Sequence, residues 1–254
     1  MPLLDVSNLS KSFGGVQAVA GVSFQVEPGE LVALIGPNGA GKSTCFNLLN
    51  GQLEPDGGRV QLAGRDITGR APREIWRLGV GRTFQVTATY GSMTVLENVQ
   101  MVLLSHARRL LGLWRPAADL FRDQAMSVLE RVGIADRAQQ QCSLLAYGDL
   151  KRVELAMALA SAPRLLLMDE PTAGMAPAER DVLMALTAVL TREQGVGVLF
   201  TEHSMDVVFT YARRVLVMAR GRIIAGGTPA AVREDPEVQA VYLGTGTRAG
   251  AQSR

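Results

Sequence analysis

The chain has 254 residues, of which 47% are hydrophobic, so it is long enough for one large α/β domain or for a core domain that carries a smaller insert. Its formal net charge of +2 is spread along the sequence, which gives no reason to expect a nucleic acid as a partner. Two cysteines, Cys45 and Cys142, do not indicate a disulfide framework or a metal site, and no segment approaches the roughly 18 uninterrupted apolar residues of a membrane span, because Arg164 interrupts even the run Leu155–Met168.

The N-terminal part of the chain predicts two strands, over Leu3–Leu9 and Ala20–Val26. Met1–Ser12 lacks the apolar core of a signal peptide, so we expect a cytosolic location. Between the strands lies the turn-rich segment Lys11–Gly15, whose one aromatic residue, Phe13, has two interpretations. A lone aromatic is more often part of a core. A base stacked on a ring is worth on the order of 1–3 kcal/mol in nucleic-acid complexes, so Phe13 could also be the platform for an adenine.

The next stretch, Gly36–Thr44, fits the phosphate-loop pattern of Gly, four residues and then Gly-Lys-Ser. It follows the apolar run Leu31–Ile35, which predicts a buried strand, and precedes Cys45–Leu49, which predicts a helix. Three glycines allow the backbone to curve round an anion, so that N–H groups and the positive end of the helix face a triphosphate. Lys42 would reach the outer phosphates, and the Ser43 hydroxyl would bind a magnesium ion that bridges them. The predicted nucleotide-binding residues are Phe13, Gly36, Pro37, Asn38, Gly39, Ala40, Gly41, Lys42, Ser43 and Thr44.

In the middle of the chain, short mixed elements are followed by a long region with helical periodicity. The short elements are a turn at Glu54–Gly58, a strand over Arg59–Leu62, a helix over Pro72–Leu78 and a segment Gly79–Phe84 that leads to Gln85. From Thr94 to Val132 apolar residues recur at helical spacing, with Pro116 between two runs. No convincing strand interrupts this region as far as about Gln141, so it predicts an inserted helical subdomain.

Strands and helices then alternate again. The predicted elements are a helix over Val153–Ala160, a strand over Leu165–Met168 that ends in Asp169-Glu170, a helix over Ala178–Leu190, a strand over Val196–Thr201, a hairpin of Val215–Met218 with Ile223–Ala225, and two last helices opened by Thr228-Pro229 and Asp235-Pro236. Continuous apolar strands that alternate with helices predict a mainly parallel sheet covered on both faces. Ligands should collect at the carboxyl ends of its strands. We expect the tail, Gly244–Arg254, to be mobile.

Five features, in their order along the chain, resemble the nucleotide-binding subunit of ABC transporters, and the resemblance covers nearly all of residues 1–243. They are the phosphate loop, Gln85, the segment Leu145-Ala146-Tyr147-Gly148-Asp149, the strand with its acidic end at Leu165–Glu170, and His203 just past a strand. The resemblance implies an α/β fold with a P-loop NTPase (ABC ATPase) core, a mainly parallel sheet, an antiparallel β portion near the N-terminus and an inserted helical subdomain. The implied divisions are core residues 1–93, a helical subdomain with the signature loop at 94–150, core residues 151–243 and the tail at 244–254.

The resemblance also implies roles for single residues. Asp169, at the end of a buried strand, would hold magnesium through water. Glu170 would be the general base for the attacking water, a contribution typically worth 10²–10⁴ in rate. His203 would touch the γ-phosphate and orient that water, with Lys42 as the third catalytic residue. Gln85 would join the metal or water shell and sense the transported load. The plainer interpretations are solvated charges at a strand end for the two carboxylates and a structural histidine.

The segment Leu145–Asp149 resembles the family signature, which is usually written Leu-Ser-Gly-Gly-Gln. Its glycine and the start of the following helix could bind the γ-phosphate of ATP held by a second copy, so the active unit should be a dimer around two ATP molecules. The segment departs from the signature, because Ala146 lacks the serine hydroxyl and Tyr147 and Asp149 replace a glycine and the glutamine. The usual Ser-Ala-Leu-Asp loop after Pro171-Thr172 also appears here as Ala173-Gly174-Met175-Ala176. Both departures weaken the expected contacts between subunits.

These departures, together with Gly81–Gln85 and Val241–Gly244, resemble the ATP-binding subunits of branched-chain amino acid importers. Close relatives of that group serve urea, other amides or aromatic acids. The resemblance implies a peripheral subunit on the cytoplasmic face of the inner membrane, with ATP and Mg²⁺ as cofactors. Its partners would be transmembrane permeases, a homo- or heterodimeric ATPase partner and, indirectly, a solute-binding protein.

Three alternatives stay open from the sequence. A non-transport ABC ATPase usually carries two such domains in one chain, and this chain has a single phosphate loop. A catalytically weak subunit in a mixed dimer would explain Ala146 and Ala176. The basic end of the helical insert would be a solvated face or a contact with lipid head groups or transporter loops. Its residues are His106, Arg108, Arg109, Trp114, Arg115 and Arg122.

Overall fold

The computed structural model describes residues 1–83, 89–107 and 120–243, and for residues 242 and 243 it describes the backbone only. It contains two sheets. The first is antiparallel and consists of β1 (Leu4–Phe13), β2 (Val16–Val26), β4 (Gly57–Leu62) and β5 (Arg65–Asp66), in the order β2-β1-β4-β5. The second consists of β3 (Leu31–Ile35), β6 (Val80–Thr83), β7 (Leu165–Asp169), β8 (Gly197–Thr201), β9 (Arg214–Ala219) and β10 (Arg222–Gly227), in the order β10-β9-β3-β8-β7-β6.

The second sheet is parallel from β9 to β6, and β10 alone is added antiparallel, as a hairpin with β9. Its central strands are buried at every residue. The side chains of β3 show why: Ala33 and Ile35 pack into the core on one face, and Val32 and Leu34 pack into the core on the other. A sheet covered on both faces needs such continuous apolar strands, and the predicted α/β architecture is confirmed.

The helices in the described residues lie on the faces of this sheet and in a separate bundle. They are α1 (Lys42–Leu49), α2 (Pro72–Arg77), α3 (Val95–His106), α4 (Arg122–Arg131), α5 (Tyr147–Ala160), α6 (Pro177–Gln194), α7 (Met205–Tyr211), α8 (Pro229–Glu234) and α9 (Pro236–Leu243). Helices α3, α4 and α5 pack against one another, and α5 also contacts β6 of the sheet. They account for the helical periodicity predicted in the middle of the sequence.

Several elements differ in extent from the sequence expectation. The segment Lys11–Phe13 belongs to β1, because it pairs with β2, and the turn is confined to Gly14 and Gly15. Strand β6 and helix α7 were not predicted from the sequence. Strand β6 forms by pairing with β7 although it contains a glycine and an arginine. Helix α5 begins at Tyr147, six residues before the predicted Val153. Predictions for Gln85, Pro116 and the tail lie outside the described residues.

Candidate nucleotide site

The phosphate loop connects β3 to α1 and has a backbone that only glycine fits at two of its positions. Gly36 has φ +153°, and a Cβ on it would lie 2.0 Å from the carbonyl oxygen of Met218. Gly41 has φ +104°, and its Cβ would lie 2.2 Å from the carbonyl oxygen of Ala18. The loop is therefore pressed against β9 and β2, and α1 begins directly behind it. This is the strand, loop and helix context that an anion site at a helix N-terminus requires.

Lys42 is already placed in this loop. Its Nζ donates hydrogen bonds to the carbonyl oxygens of Gly36 (2.7 Å) and Pro37 (3.2 Å), and the residue is only 8% exposed. Burial lowers the pKa of Lys42, and the nearby charges of Glu170 and Asp169 oppose that decrease. The ammonium group therefore lies between the loop and two carboxylates, where it can bind the outer phosphates of a nucleotide.

The two carboxylates diverge at the end of β7. Thr201, on the neighbouring strand β8, donates from Oγ1 to Asp169 Oδ1 (2.7 Å). The Glu170 N–H donates to Thr201 Oγ1 (3.0 Å), and Glu170 has φ +48°, a left-handed conformation that is rare for a residue with a side chain. Such backbone strain costs about 1–3 kcal/mol and is concentrated at functional sites. The carboxylates of Asp169 and Glu170, although adjacent in sequence, have different contacts: Thr201 for Asp169 and His203 for Glu170.

The Glu170 carboxylate meets the histidine that the sequence singled out. His203 Nε2 lies 2.9 Å from Glu170 Oε1, and the His203 side chain is half exposed. The buried Glu202 supports this arrangement, because it accepts hydrogen bonds from Thr172 Oγ1 (2.6 Å) and from the backbone N–H of His203 (3.1 Å). The loop after β8 is thereby attached to the loop that follows Glu170.

Arg82, on β6, was not predicted from the sequence as a site residue. Its guanidinium lies 3.4 Å from Asp169 Oδ2 and donates from Nη1 to Asn47 Oδ1 and Gln52 Oε1, both at 2.8 Å. Burial lowers the pKa of Arg82, and the Asp169 charge opposes this. The stretch Gly81–Gln85 contributed to the resemblance, but nothing in it singled out the arginine.

Phe13 lies at the end of β1, and its 48% exposure excludes the core interpretation. The Lys11 Nζ lies 5.8 Å from the centre of its ring. Its hairpin also contributes Ala18, whose carbonyl faces Gly41 of the phosphate loop. The structure thus leaves an exposed ring on a hairpin that packs against the loop.

The signature segment lies at the start of α5. Ala146 immediately precedes the helix and is exposed, whereas Gly148 is buried, and a Cβ on it would lie 2.6 Å from Glu179 Oε1. The Tyr147 hydroxyl donates to the carbonyl oxygen of Ala173 (3.1 Å). The segment therefore packs on the loop between Glu170 and α6.

The oxygen donors fit a magnesium ion that arrives with a triphosphate. In residues 1–83, 89–107 and 120–243, no three His, Cys, Asp or Glu side chains lie together as a metal site of their own. Magnesium is typically held by one or two protein oxygens together with substrate phosphates. The Ser43 hydroxyl and the Asp169 carboxylate are donors of this kind.

In residues 1–83, 89–107 and 120–243, no helix is long and apolar enough to cross a membrane.

Comparison with known proteins agrees with this geometry. A family model described as "ABC transporter" matches residues 19–173, and one described as "Branched-chain amino acid ATP-binding cassette transporter" matches residues 222–247. The high-affinity branched-chain amino acid transport ATP-binding protein BraF of Pseudomonas aeruginosa PAO1 is 41% identical over 250 residues, covering 96% of this chain and 98% of its own. The corresponding protein LivG of Escherichia coli K12 is 39% identical over 252 residues, with coverages of 96% and 98%.

A solved ATP-binding cassette of an ABC transporter, in its ADP conformation, superposes with a TM-score of 0.85 at 33% identity, covering 96% of this chain and 99% of that chain. Sequence similarity over the whole length and the same fold therefore accompany the loop, the paired carboxylates and the histidine described above. The chain belongs to the ABC transporter family, as an ATP-binding subunit with an ATPase activity that drives transport.

Proposed function

We propose that Glu170 is the general base of this ATPase and that His203 orients it and the attacking water. The observation that carries this assignment is the 2.9 Å contact between His203 Nε2 and Glu170 Oε1, beside the phosphate loop. Glu170 is near enough to Lys42 for its charge to oppose the decrease in the pKa of Lys42 that burial causes. The Glu170 carboxylate would accept the proton of a water directed at the γ-phosphate. Lys42 and the N–H groups of the loop would bind the phosphate oxygens.

The metal assignment is part of the same proposal. Magnesium bound with the triphosphate would neutralise charge on the β- and γ-phosphate oxygens. Ser43 would hold it directly, and Asp169 would hold it through water. Thr201 fixes one Asp169 oxygen in advance through its 2.7 Å hydrogen bond. The proposed third member, Gln85, lies outside the described residues.

We also propose a dimer with another ABC ATPase, identical or different, in which each signature segment binds the ATP of its partner. The segment Leu145–Asp149 leads into α5, and the helix N-terminus is suited to a phosphate. The exposed Ala146 and Tyr147 lie where a second subunit could reach them. Phe13 is proposed as the platform for the adenine ring, because it is an exposed aromatic on a hairpin in contact with the phosphate loop.

The proposed cargo is a branched-chain amino acid, taken up through membrane permeases with a solute-binding protein. Two named relatives at about 40% identity and the match to residues 222–247 favour this cargo over urea, other amides or aromatic acids. The chain would act at the cytoplasmic face of the inner membrane.

The helical part of the chain would transmit the motion to the permeases. The proposed divisions are residues 1–93, 94–150 and 151–243. Helix α5 runs without a break across residue 150, so it connects the second division to the third. His106 is one of the residues at the basic end of the helical insert. Its ring packs edge-to-face with the ring of Trp76 of α2, and the two ring centres are 5.0 Å apart. Arg108, Arg109, Trp114 and Arg115 lie outside the described residues.

The test of the catalytic assignment is Glu170→Gln, with Glu193→Gln, an exposed residue near the end of α6, as control. Glu170→Gln should bind ATP with unchanged affinity and lower ATP turnover at least about tenfold, since an amide cannot accept the proton. Turnover is measured as phosphate release by the chain alone and with its permeases. Normal turnover in Glu170→Gln would refute the role. Negligible turnover of the unaltered chain in both settings would favour the weak-partner alternative.

A further inference from the structure

Arg82 links the proposed metal site to the helix behind the phosphate loop. Its Nη2 lies 3.4 Å from Asp169 Oδ2, and its Nη1 binds Asn47 of α1 and Gln52 just beyond it. The side chains of Arg82 and Asp169 are both only 11% exposed. The guanidinium is therefore held in a fixed place beside the carboxylate, with little water to screen the two charges.

Both oxygens of Asp169 have a donor in the described structure. Thr201 Oγ1 donates to Oδ1 at 2.7 Å, and Arg82 faces Oδ2. Lys42 is a second cation whose charge is coupled to Asp169 and to Glu170. Lys42, however, donates its hydrogen bonds to loop carbonyls, so in the part of the chain that the structure describes Arg82 is the cation in direct contact with the Asp169 carboxylate.

We propose that Arg82 is a positioning residue and a built-in counter-cation of Asp169, which holds this carboxylate while no metal is bound and competes with magnesium for it when the nucleotide arrives. The inference rests on the proposed role of Asp169 in the metal site. Its physical basis is that a buried carboxylate strongly favours a compensating positive charge. A cation already in contact with the carboxylate reduces the electrostatic free energy that a second cation gains by binding there. Removal of the Arg82 charge leaves Asp169 with an uncompensated charge that attracts magnesium more strongly.

The test is to measure, in the purified chain, how the binding of a fluorescent ATP analogue depends on magnesium concentration. Arg82→Met removes the charge and retains an apolar stem, and Arg82→Gln removes the charge and retains a donor. The magnesium midpoint is the magnesium concentration that gives half of the full change in analogue binding. Arg82→Met and Arg82→Gln should both lower this midpoint by about threefold or more. Arg82→Lys, which keeps the charge, should have a midpoint within about twofold of that of the unaltered chain. Arg65→Met, at an exposed position of β5, is the matched control and should change nothing.

The metal-free, nucleotide-free protein provides a second readout. Arg82→Met and Arg82→Gln should unfold at a lower temperature than the unaltered chain, because a buried carboxylate loses its partner. An unchanged or higher magnesium midpoint in a folded Arg82→Gln protein would overturn the proposal. If Arg82→Lys behaved like Arg82→Met, a role that depends on charge would also be refuted.

Asp169→Asn separates this proposal from the one on which it rests. If Asp169 binds the metal, Asp169→Asn raises the magnesium midpoint. If Asp169→Asn leaves that midpoint unchanged, the metal assignment itself is wrong. If Asp169→Asn raises it while Arg82→Gln fails to lower it, Asp169 keeps its role and only the competition by Arg82 is refuted.

Discussion

The Tyr147 hydroxyl donates a hydrogen bond of 3.1 Å to the carbonyl oxygen of Ala173, so the two departures from the usual ABC sequence pattern contact each other. Tyr147 belongs to the signature segment, and Ala173 belongs to the loop after Glu170. In the same loop Gly174 has φ +78°, and a Cβ on it would lie 3.5 Å from the Tyr147 ring. A glycine at position 147 has neither ring nor hydroxyl, so this link within one subunit depends on the tyrosine.

Tyr147→Phe should therefore affect both stability and turnover. Losing one neutral hydrogen bond lowers the free energy of unfolding by about 0.5–1.5 kcal/mol. Because the bond fixes the loop that follows Glu170, we also expect ATP turnover to fall by about twofold or more. Tyr211→Phe is the control, since its hydroxyl donates a comparable bond from α7 to the carbonyl of Asp181 in α6 (3.2 Å) and not to the loop after Glu170. Equal turnover in the two variants would contradict the coupling.

Lys42→Ala should abolish tight nucleotide binding. The Lys42 ammonium is the cation held inside the phosphate loop, and charge-assisted hydrogen bonds to phosphate are among the strong ones. We expect the dissociation constant for ATP to rise by about tenfold or more. Arg192→Ala removes an exposed charge from α6 and serves as control. A nucleotide titration with the same affinity in Lys42→Ala and the control would contradict the assignment.

Gly36→Ala tests the backbone conformation of the phosphate loop, and Gly57→Ala, at the start of β4, is its matched control. A Cβ on Gly36 would lie 2.0 Å from the Met218 carbonyl oxygen, whereas a Cβ on Gly57 would meet nothing within 4 Å. Gly36→Ala should lower the free energy of unfolding by about 2 kcal/mol or more, because the loop must shift away from β9. Gly57→Ala should stay within about 0.5 kcal/mol. Thermal unfolding of the two variants checks this, and equal melting temperatures would be the opposing result.

Glu30 gives the fold a stability that depends on pH. Burial by itself would raise the pKa of Glu30, but hydrogen bonds from Arg214 (2.8 and 2.9 Å) and from the Glu27 N–H (2.9 Å) outweigh it and hold the pKa below its ordinary 4.5. The native state therefore binds fewer protons at this group than the unfolded chain. The resulting stabilisation is present above pH 4.5 and is lost as the pH falls through the folded pKa.

Glu30→Gln should accordingly lower the free energy of unfolding by about 2 kcal/mol at pH 7, since it removes hydrogen bonds between charged groups. The difference from the unaltered chain should narrow as the pH falls below 4.5. Urea unfolding at pH 7 and at several acidic values measures it, with Glu193→Gln as the control. A difference that does not change with pH would show that Glu30 contributes by packing alone.

Burial explains one further expectation, for Cys45 in α1. Its thiol is fully buried, and burial raises its pKa to about 12. The thiolate is the reactive form, so a thiol reagent at pH 8 should modify Cys45 only after the protein unfolds. Rapid alkylation of Cys45 in the native protein, detected by mass spectrometry, would contradict this burial.

The element types of the catalytic core were predictable from sequence because they depend on local regularities. The phosphate loop has a fixed spacing of glycines and a lysine, and continuous apolar runs such as Leu165–Met168 indicate strands buried on both faces. Asp169, Glu170 and His203 lie at or just past the ends of such runs, and the family resemblance singled them out. Strand β6 and helix α7 were missed because β6 is stabilised by its pairing with β7 and α7 is only seven residues long.

The contacts between these elements had to come from tertiary structure. The strand order places β8 between β3 and β7, and this brings Thr201 to Asp169 and His203 to Glu170, residues 32 and 33 positions apart. Arg82 and Asp169 are 87 positions apart, and Tyr147 and Ala173 are 26 apart. Hydrophobic periodicity reports which faces are buried but contains no information on which parallel strands are neighbours. The sequence by itself therefore determined the family, the α/β class and the candidate site residues, and only the tertiary structure decided the partners of those residues, because side-chain pairing across a parallel sheet follows from strand order.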